Sequence, residues 1–328
     1  MTYTAGGLIQ ATDYNGFAST TANANVNDIW GVGSSDKGYG QSTTLTTVAA
    51  GATVTATQWA SLNSRISSMA SHQGTSITSR SNPVAGNLIQ ILANLNTDLT
   101  NITNNRGNAA ASGSQFTGWT GTSSKTTATG SGNDPWTITF THTITWASAN
   151  AARYFFNAGG RIKWETSKTS VGTDADDEWN DLANTLVGDI FITGGTGTQT
   201  IAGTGYTGTT KIGGTGSPST LLTGTGWYDL TTTDTIIYKQ FADTYSYTDQ
   251  YIQIQAKTAG SGTQLVLTTT WFDPGGVLFP NDNISGGSAT TGITFGTAPA
   301  TVVTYFPPST TFLTEASWGT PTVVAAVA

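Results

Sequence analysis

The chain has 328 residues, 9% of them charged, with a formal net charge of −7, two histidines and no cysteine. Disulfides and thiolate metal sites are therefore excluded, and little remains for proton-transfer or nucleophilic chemistry, which draws on His, Cys, Lys and clustered carboxylates. The 12 Lys and Arg residues are scattered, so no basic stripe exists to follow a phosphate backbone.

The opening Met1-Thr2-Tyr3-Thr4-Ala5-Gly6-Gly7 has neither the basic nor the apolar part of a signal peptide. No stretch approaches the roughly 20 apolar residues of a membrane-spanning helix. The expectation is a cytoplasmically made protein with no membrane insertion and no nucleic-acid partner.

Three helices are predicted before residue 107. The first runs from about Thr12 to Trp30, with Thr12 or Asp13 as N-cap and Gly31 as the stop. The glycine-rich Gly31 to Gln41 segment then fails the phosphate-loop pattern, because no Gly-Lys-Ser/Thr occurs in it, and reads as a shaped turn. The second helix runs from about Thr55 to Gln73, capped by Thr55 or Thr57 and ended by Gly74, with Trp59, Leu62, Ile66 and Met69 as its apolar stripe. The two helix starts resemble each other, Leu8 to Asn15 beside Val54 to Ser61, as in a weak internal repeat. In the third helix Leu88, Leu92, Leu95, Leu99 and Ile102 fall at heptad spacing. Two readings follow: an amphipathic helix packed on the preceding two, or an oligomerisation seam between identical chains.

Residues 107–133 are rich in Gly, Ser and Thr and read as a flexible connector. From Trp136 to Trp146 apolar residues alternate with threonine, a strand buried on one face. Tyr154 to Trp164 is expected to be a hairpin turning at Ala158-Gly159-Gly160. The acids of Asp174 to Asp181 lead into a helix carrying Trp179, Leu182 and Leu186. Gly194 to Gly226 reads as a long surface loop or loosely paired hairpins, mobile or held by a partner. Tyr251 to Ala256 and Gln264 to Trp271 repeat the strand alternation.

Few residues invite a chemical role. The acidic cluster lacks calcium-loop spacing and is explained by a helix start. His142, on the apolar strand face, is expected to be a hydrogen-bonded core residue, and His72 a partly positive side chain at a helix C-terminus. No metal pair, cofactor site or catalytic set is visible. Trp227, Tyr228, Tyr245 and Tyr247 are candidates for a glycan-stacking platform, with packing as the alternative.

Several segments resemble virion structural proteins of tailed bacteriophages, including those of cyanobacteria and other marine bacteria. They are Ala151 to Ile162 (AARYFFNAGGRI), Ala11 to Asn15, Gly38 to Gln41, Thr55 to Trp59, Gly226 to Leu230 and Tyr245 to Thr248. The resemblance implies a virion component and brings no catalytic residues. The combined expectation is an α+β, mainly β chain. A helical attachment and oligomerisation region (1–106) and the connector (107–133) precede an antiparallel β-sandwich-like domain (134–328). The expected partners are copies of itself, as a trimer, other virion proteins and a host surface glycan. The expected role is a tail, neck or baseplate fibre-type component, with capsid decoration protein and glycan-binding adhesin as alternatives.

Overall fold

The computed structural model describes residues 10–19, 25–84, 94–110, 119–124, 127–128, 135–170, 172, 174–195, 197–244, 248–274, 293–294 and 297–328. Helices lie N-terminally: α1 (Ala11–Ala18), α2 (Val26–Trp30), α3 (Ala56–Gln73) and α4 (Leu95–Asn104). The strands follow, β1 (Trp119–Ser124), β2 (Thr127–Ala128) and β3 (Trp136–Thr145), then helix α5 (Ala149–Asn157) and β4 (Arg161–Ser167). Helix α6 (Asp174–Asp181) runs into a π-helical turn (Leu182–Leu186). Next come β5 (Asp189–Ile192), β6 (Gln199–Ile201), β7 (Thr204–Tyr206), β8 (Thr209–Ile212) and β9 (Thr220–Leu221). The last strands are β10 (Thr235–Phe241), β11 (Tyr251–Ala259), β12 (Gln264–Asp273), β13 (Ile293–Thr294), β14 (Ala300–Phe306) and β15 (Thr322–Val327).

Where one first helix was expected, two short ones stand, and α1 begins earlier than Thr12. Its N-cap is Gln10, whose N–H donates to Asp13 Oδ2 at 2.9 Å. In α3 the Thr55 N–H donates to Gln58 Oε1 at 2.8 Å, and Gly74 closes the helix at φ +70°. The two starts are therefore equivalent, but one residue off the expected alignment: Ala11-Thr12-Asp13-Tyr14 matches Ala56-Thr57-Gln58-Trp59. The matched aromatics meet edge to face, with centroids 5.5 Å apart. Asn15 and Asn27 each clamp the extended segment after α2 by a paired donor and acceptor, Asn15 to Val48 and Asn27 to Leu45.

The C-terminal part holds two large antiparallel sheets. The six-stranded one has the order β15-β3-β12-β11-β10-β9, the five-stranded one β1-β14-β4-β5-β8. The alternation in β3 places Trp136, Ile138, Phe140, His142 and Ile144 inward and the threonines outward. From the other sheet Trp164 reaches across, its Nε1–H donating to Thr269 Oγ1 at 2.8 Å. Trp179 of α6 stacks on Trp271 at 5.2 Å and lies 5.1 Å from Trp136, closing one end of this core.

One hydrophobic cluster runs from Tyr14 and Phe17 through α3 and α4 to Trp271 and Trp318. The helical region is thus part of the β region's core rather than a separate attachment module. Residues of the expected connector are built in as well. Ala109 bridges Ile201, and β1 pairs along β14 as an edge strand. The first arm of the expected hairpin is a helix instead, while its returning arm, Arg161 to Trp164, is strand β4 as expected. Ser148 Oγ accepts the Ala151 N–H at 3.0 Å, and Ala152, Phe155 and Phe156 become one buried face. Of the two glycines only Gly159 takes the expected positive φ, at +86°; Gly160 is instead required by a close approach, since a Cβ there would lie 2.3 Å from the Phe155 ring. The Gly194 to Gly226 stretch forms the β6–β7 hairpin with β8 and β9. It is held by its own chain, through a second small core of Ala109, Phe191, Ile201 and Tyr206.

Candidate functional site

Three of the segments that carry the virion-protein resemblance, Gly38 to Gln41, Ala151 to Ile162 and Gly226 to Leu230, meet at the glycine-rich turn after α2. Gly33, Gly38 and Gly40 all have positive φ, and a Cβ on Gly38 would sit 2.2 Å from the Val32 carbonyl oxygen. Part of the turn's amides are committed: Lys37 donates to the Ser34 carbonyl, and Tyr39, Gly40 and Gln41 to those of Ile29, Gly31 and Trp30. Its carbonyls are taken from the α5 side. The Arg153 guanidinium donates to the Val32 and Lys37 carbonyls at 2.8 Å each, and Asn157 Nδ2 to those of Lys37 and Gly38 at 2.9 and 3.0 Å. Tyr228 completes the hub, its hydroxyl donating to Asn157 Oδ1 at 2.6 Å. Burial raises the Tyr228 phenol above its ordinary value, so it stays a neutral donor.

Beside this hub lies a polar cleft of about 430 Å³, lined by Asp36, Arg106, Asn108, Gln199, Tyr228 and Asp229. Arg106 and Asp36 pair across it. The hub joins the helical region to the β region: Arg153 and Asn157 reach the turn's carbonyls, and Tyr228 braces Asn157.

Trp227 is 9% exposed and stacks on Phe156 at 5.3 Å, and the Tyr228 hydroxyl is committed to the hub. Trp227 is therefore core packing rather than a stacking surface, whereas Tyr228 is half-buried and lines the cleft. Tyr245 and Tyr247 lie outside the described residues, as do Leu88 and Leu92 of the heptad seam. The remaining seam residues, Leu95, Leu99 and Ile102, are 0%, 1% and 0% exposed inside the chain's own core. For these three the apolar stripe is spent within the chain, because α4 packs on α3.

The charged groups singled out in the sequence are also structural. Asp176 and Lys168 form a fully buried ion pair at 2.5 Å, and Glu178 accepts from the Thr244 hydroxyl. Arg80 and Asp98 form a second, nearly buried pair. His72 is buried, its Nε2 is 3.0 Å from the Ala158 carbonyl oxygen, and burial lowers its pKa to about 4. It is therefore a neutral core residue and not a cation at a helix end. His142 is 0% exposed with neither ring nitrogen hydrogen-bonded, and burial lowers it likewise to about 4. Among the described residues no three His, Cys, Asp or Glu side chains cluster as metal ligands, and no helix is long and apolar enough to cross a membrane.

Comparison with protein-family models, with curated proteins and with solved structures returns no match.

Two surface features were not singled out in the sequence. The first is the outer face of the six-stranded sheet. By register, Thr139 and Thr141 of β3 sit beside Thr270 and Thr268 of β12, a flat and uncharged array. At one end Phe241, Tyr251 and Phe272 form a row across three adjacent strands, with successive centroids 5.5 and 4.9 Å apart and Lys239 Nζ 3.6 Å from the Tyr251 ring. The second is β15, the sheet's edge strand. It is exposed at every position but Val323, including Val324 at 65% and Val327 at 38%.

Proposed function

We propose that this chain is a non-enzymatic structural subunit of a tailed-bacteriophage virion, a tail, neck or baseplate fibre-type component that assembles with copies of itself. The virion assignment rests on the sequence resemblance. The observation that carries the assembly reading is the threonine part of the outer sheet face, formed by β3 and β12 and bordered by an exposed apolar edge strand. A surface of Thr, Val and Ala can be packed repeatedly against itself without like-charge repulsion at each contact. The test has two parts. Light scattering on the purified chain should give a multiple of 33.9 kDa, three times that mass for the expected trimer. Quantitative mass spectrometry of purified particles should find the chain at appendage-like copy number. A monomer that is missing from particles refutes the reading, and a copy number matching the capsid lattice moves it to a decoration protein.

A second reading, a host-glycan adhesin, is favoured by the row Phe241, Tyr251 and Phe272. Aromatic rings in line on an open sheet face suit stacking against successive sugar rings. Binding on a glycan array that is lost with Tyr251→Ala while the fold is kept would support it, and a blank array with the wild-type chain would remove it.

A further inference from the structure

The C-terminal strand is the most weakly embedded part of the sheet. Thr322 to Ala328 carries no charged residue, and its side chains are exposed except Val323, which packs against the core. What holds it is the backbone ladder to β3, which runs from Thr322 opposite Thr145 to Val327 opposite Phe140. Ala328 closes the ladder by exchanging two bonds of 2.9 Å with Thr139. Such bonds contribute little net in water, roughly 0.5–1.5 kcal/mol each, and few buried apolar groups reinforce them.

The chain just upstream is fixed. Trp318 is 3% exposed, the Tyr305 hydroxyl donates to the Gly319 carbonyl at 3.0 Å, and the Gln41 side chain accepts the Glu315 N–H at 2.9 Å. Between this anchor and β15 lie only the exposed Thr320 and the buried Pro321. A fixed anchor followed by a lightly held, uncharged edge strand makes an exchangeable arm.

We infer that β15 is an arm exchanged between copies of this chain, pairing with the β3 edge of a neighbouring copy in the register it has here. The occupant follows from the structure itself. The β3 edge accepts this strand along its length, and every second copy carries the same edge. Exchange keeps the ladder, and it brings Val324 and Val327 to a boundary between copies. The inference rests on the assembly reading above and specifies its contact.

The chain has no cysteine, so introduced cysteines report without background. Thr141 and Ala326 face each other in the ladder, and both are away from the core. Chains bearing Thr141→Cys or Ala326→Cys alone, with different tags, are co-expressed and oxidised. Exchange gives a disulfide-linked heterodimer on a non-reducing gel, and the double variant gives covalent multimers. Thr143→Cys with Val324→Cys is the second pair, in case the first disturbs folding. Light scattering on the wild-type chain is run in parallel. An oligomeric wild type whose double variants close only within single chains overturns the exchange and leaves the assembly reading standing. A monomeric wild type with the same in-chain closure overturns both.

Discussion

Replacing His142 by leucine should stabilise the protein, and the gain should grow on acidification. The imidazole is fully buried in β3 between Leu267 of β12 and Ala325 of β15, and neither nitrogen has a hydrogen-bond partner. Burying an unpaired polar group costs roughly 1–3 kcal/mol on mutational scales, and leucine removes that cost. At pH 7.5 the gain is therefore about 1–3 kcal/mol. The folded-state pKa lies near 4, below the ordinary 6.5, so the unfolded chain takes the proton first. Stability from this group is complete above pH 6.5 and falls as the pH drops toward 4. The loss is about 1.4 kcal/mol per pH unit, or about 2 kcal/mol at pH 5. His72 has the same shift and adds a similar slope. Urea unfolding followed by tryptophan fluorescence at pH 7.5, 6.0 and 5.0 measures both quantities. The wild type should lose about 4 kcal/mol over the acid range and His142→Leu about half of that. A variant that is less stable at pH 7.5, or that keeps the full wild-type pH slope, would falsify the unpaired-histidine account.

Leu99→Ala should cost about 2–5 kcal/mol by opening a core cavity, while light scattering shows an unchanged oligomeric mass. A change of mass at preserved fold would return the heptad seam to the interface. Lys168→Met should cost about 3–5 kcal/mol by removing the buried cation that Asp176 pairs with, and the double change with Asp176→Leu should recover most of it. Denaturation midpoints that fail to separate the single from the double variant would refute the pairing argument. Asn157→Ala should cost about 1–3 kcal/mol, because the Gly38 carbonyl loses its donor, the Lys37 carbonyl keeps only Arg153, and Tyr228 loses one of two acceptors. Faster hydrogen exchange confined to residues 31–41 would locate the damage.

How much was legible in the sequence depended on the range of the interactions. Helix α3 was readable because Thr55, Gln58 and Gly74 all act within four residues of its ends. Strand β3 was readable because strict alternation has one structural solution. Helix α5 was not, because Tyr154-Phe155-Phe156 has strand-like composition and the helix spans only nine residues. Its one local signal was Ser148 ahead of Ala149-Asn150-Ala151-Ala152. The hub was out of reach altogether. Asn157 and Arg153 meet carbonyls more than 115 positions earlier in the chain, and no periodicity encodes such a pairing. The leucines of α4 show the limit of pattern alone, since heptad spacing defines an apolar stripe without saying which helix covers it. Strand β15 was missed for the opposite reason: a strand exposed on both faces has no alternation to read.

The scarcity of charge takes on meaning once its placement is known. Of the few ionic pairs, Lys168–Asp176 is fully buried and Arg80–Asp98 nearly so. These charges hold segments of the interior in place, which removes them from the surface. What remains outside on the large sheet is threonine, glutamine and small apolar side chains, with Lys239 and Lys257 near one side. Threonine keeps strand geometry through its branched Cβ and stays wettable through its hydroxyl. Such a face need not collapse onto unrelated surfaces, yet it carries no net field that would push identical copies apart. An exposed strand like β15 is hazardous on a free monomer, because an uncharged edge pairs with whatever strand it meets. Here β3 supplies a partner of defined register. Its pairing is thereby limited to edges with the β3 pattern, which are found on other copies of the same chain.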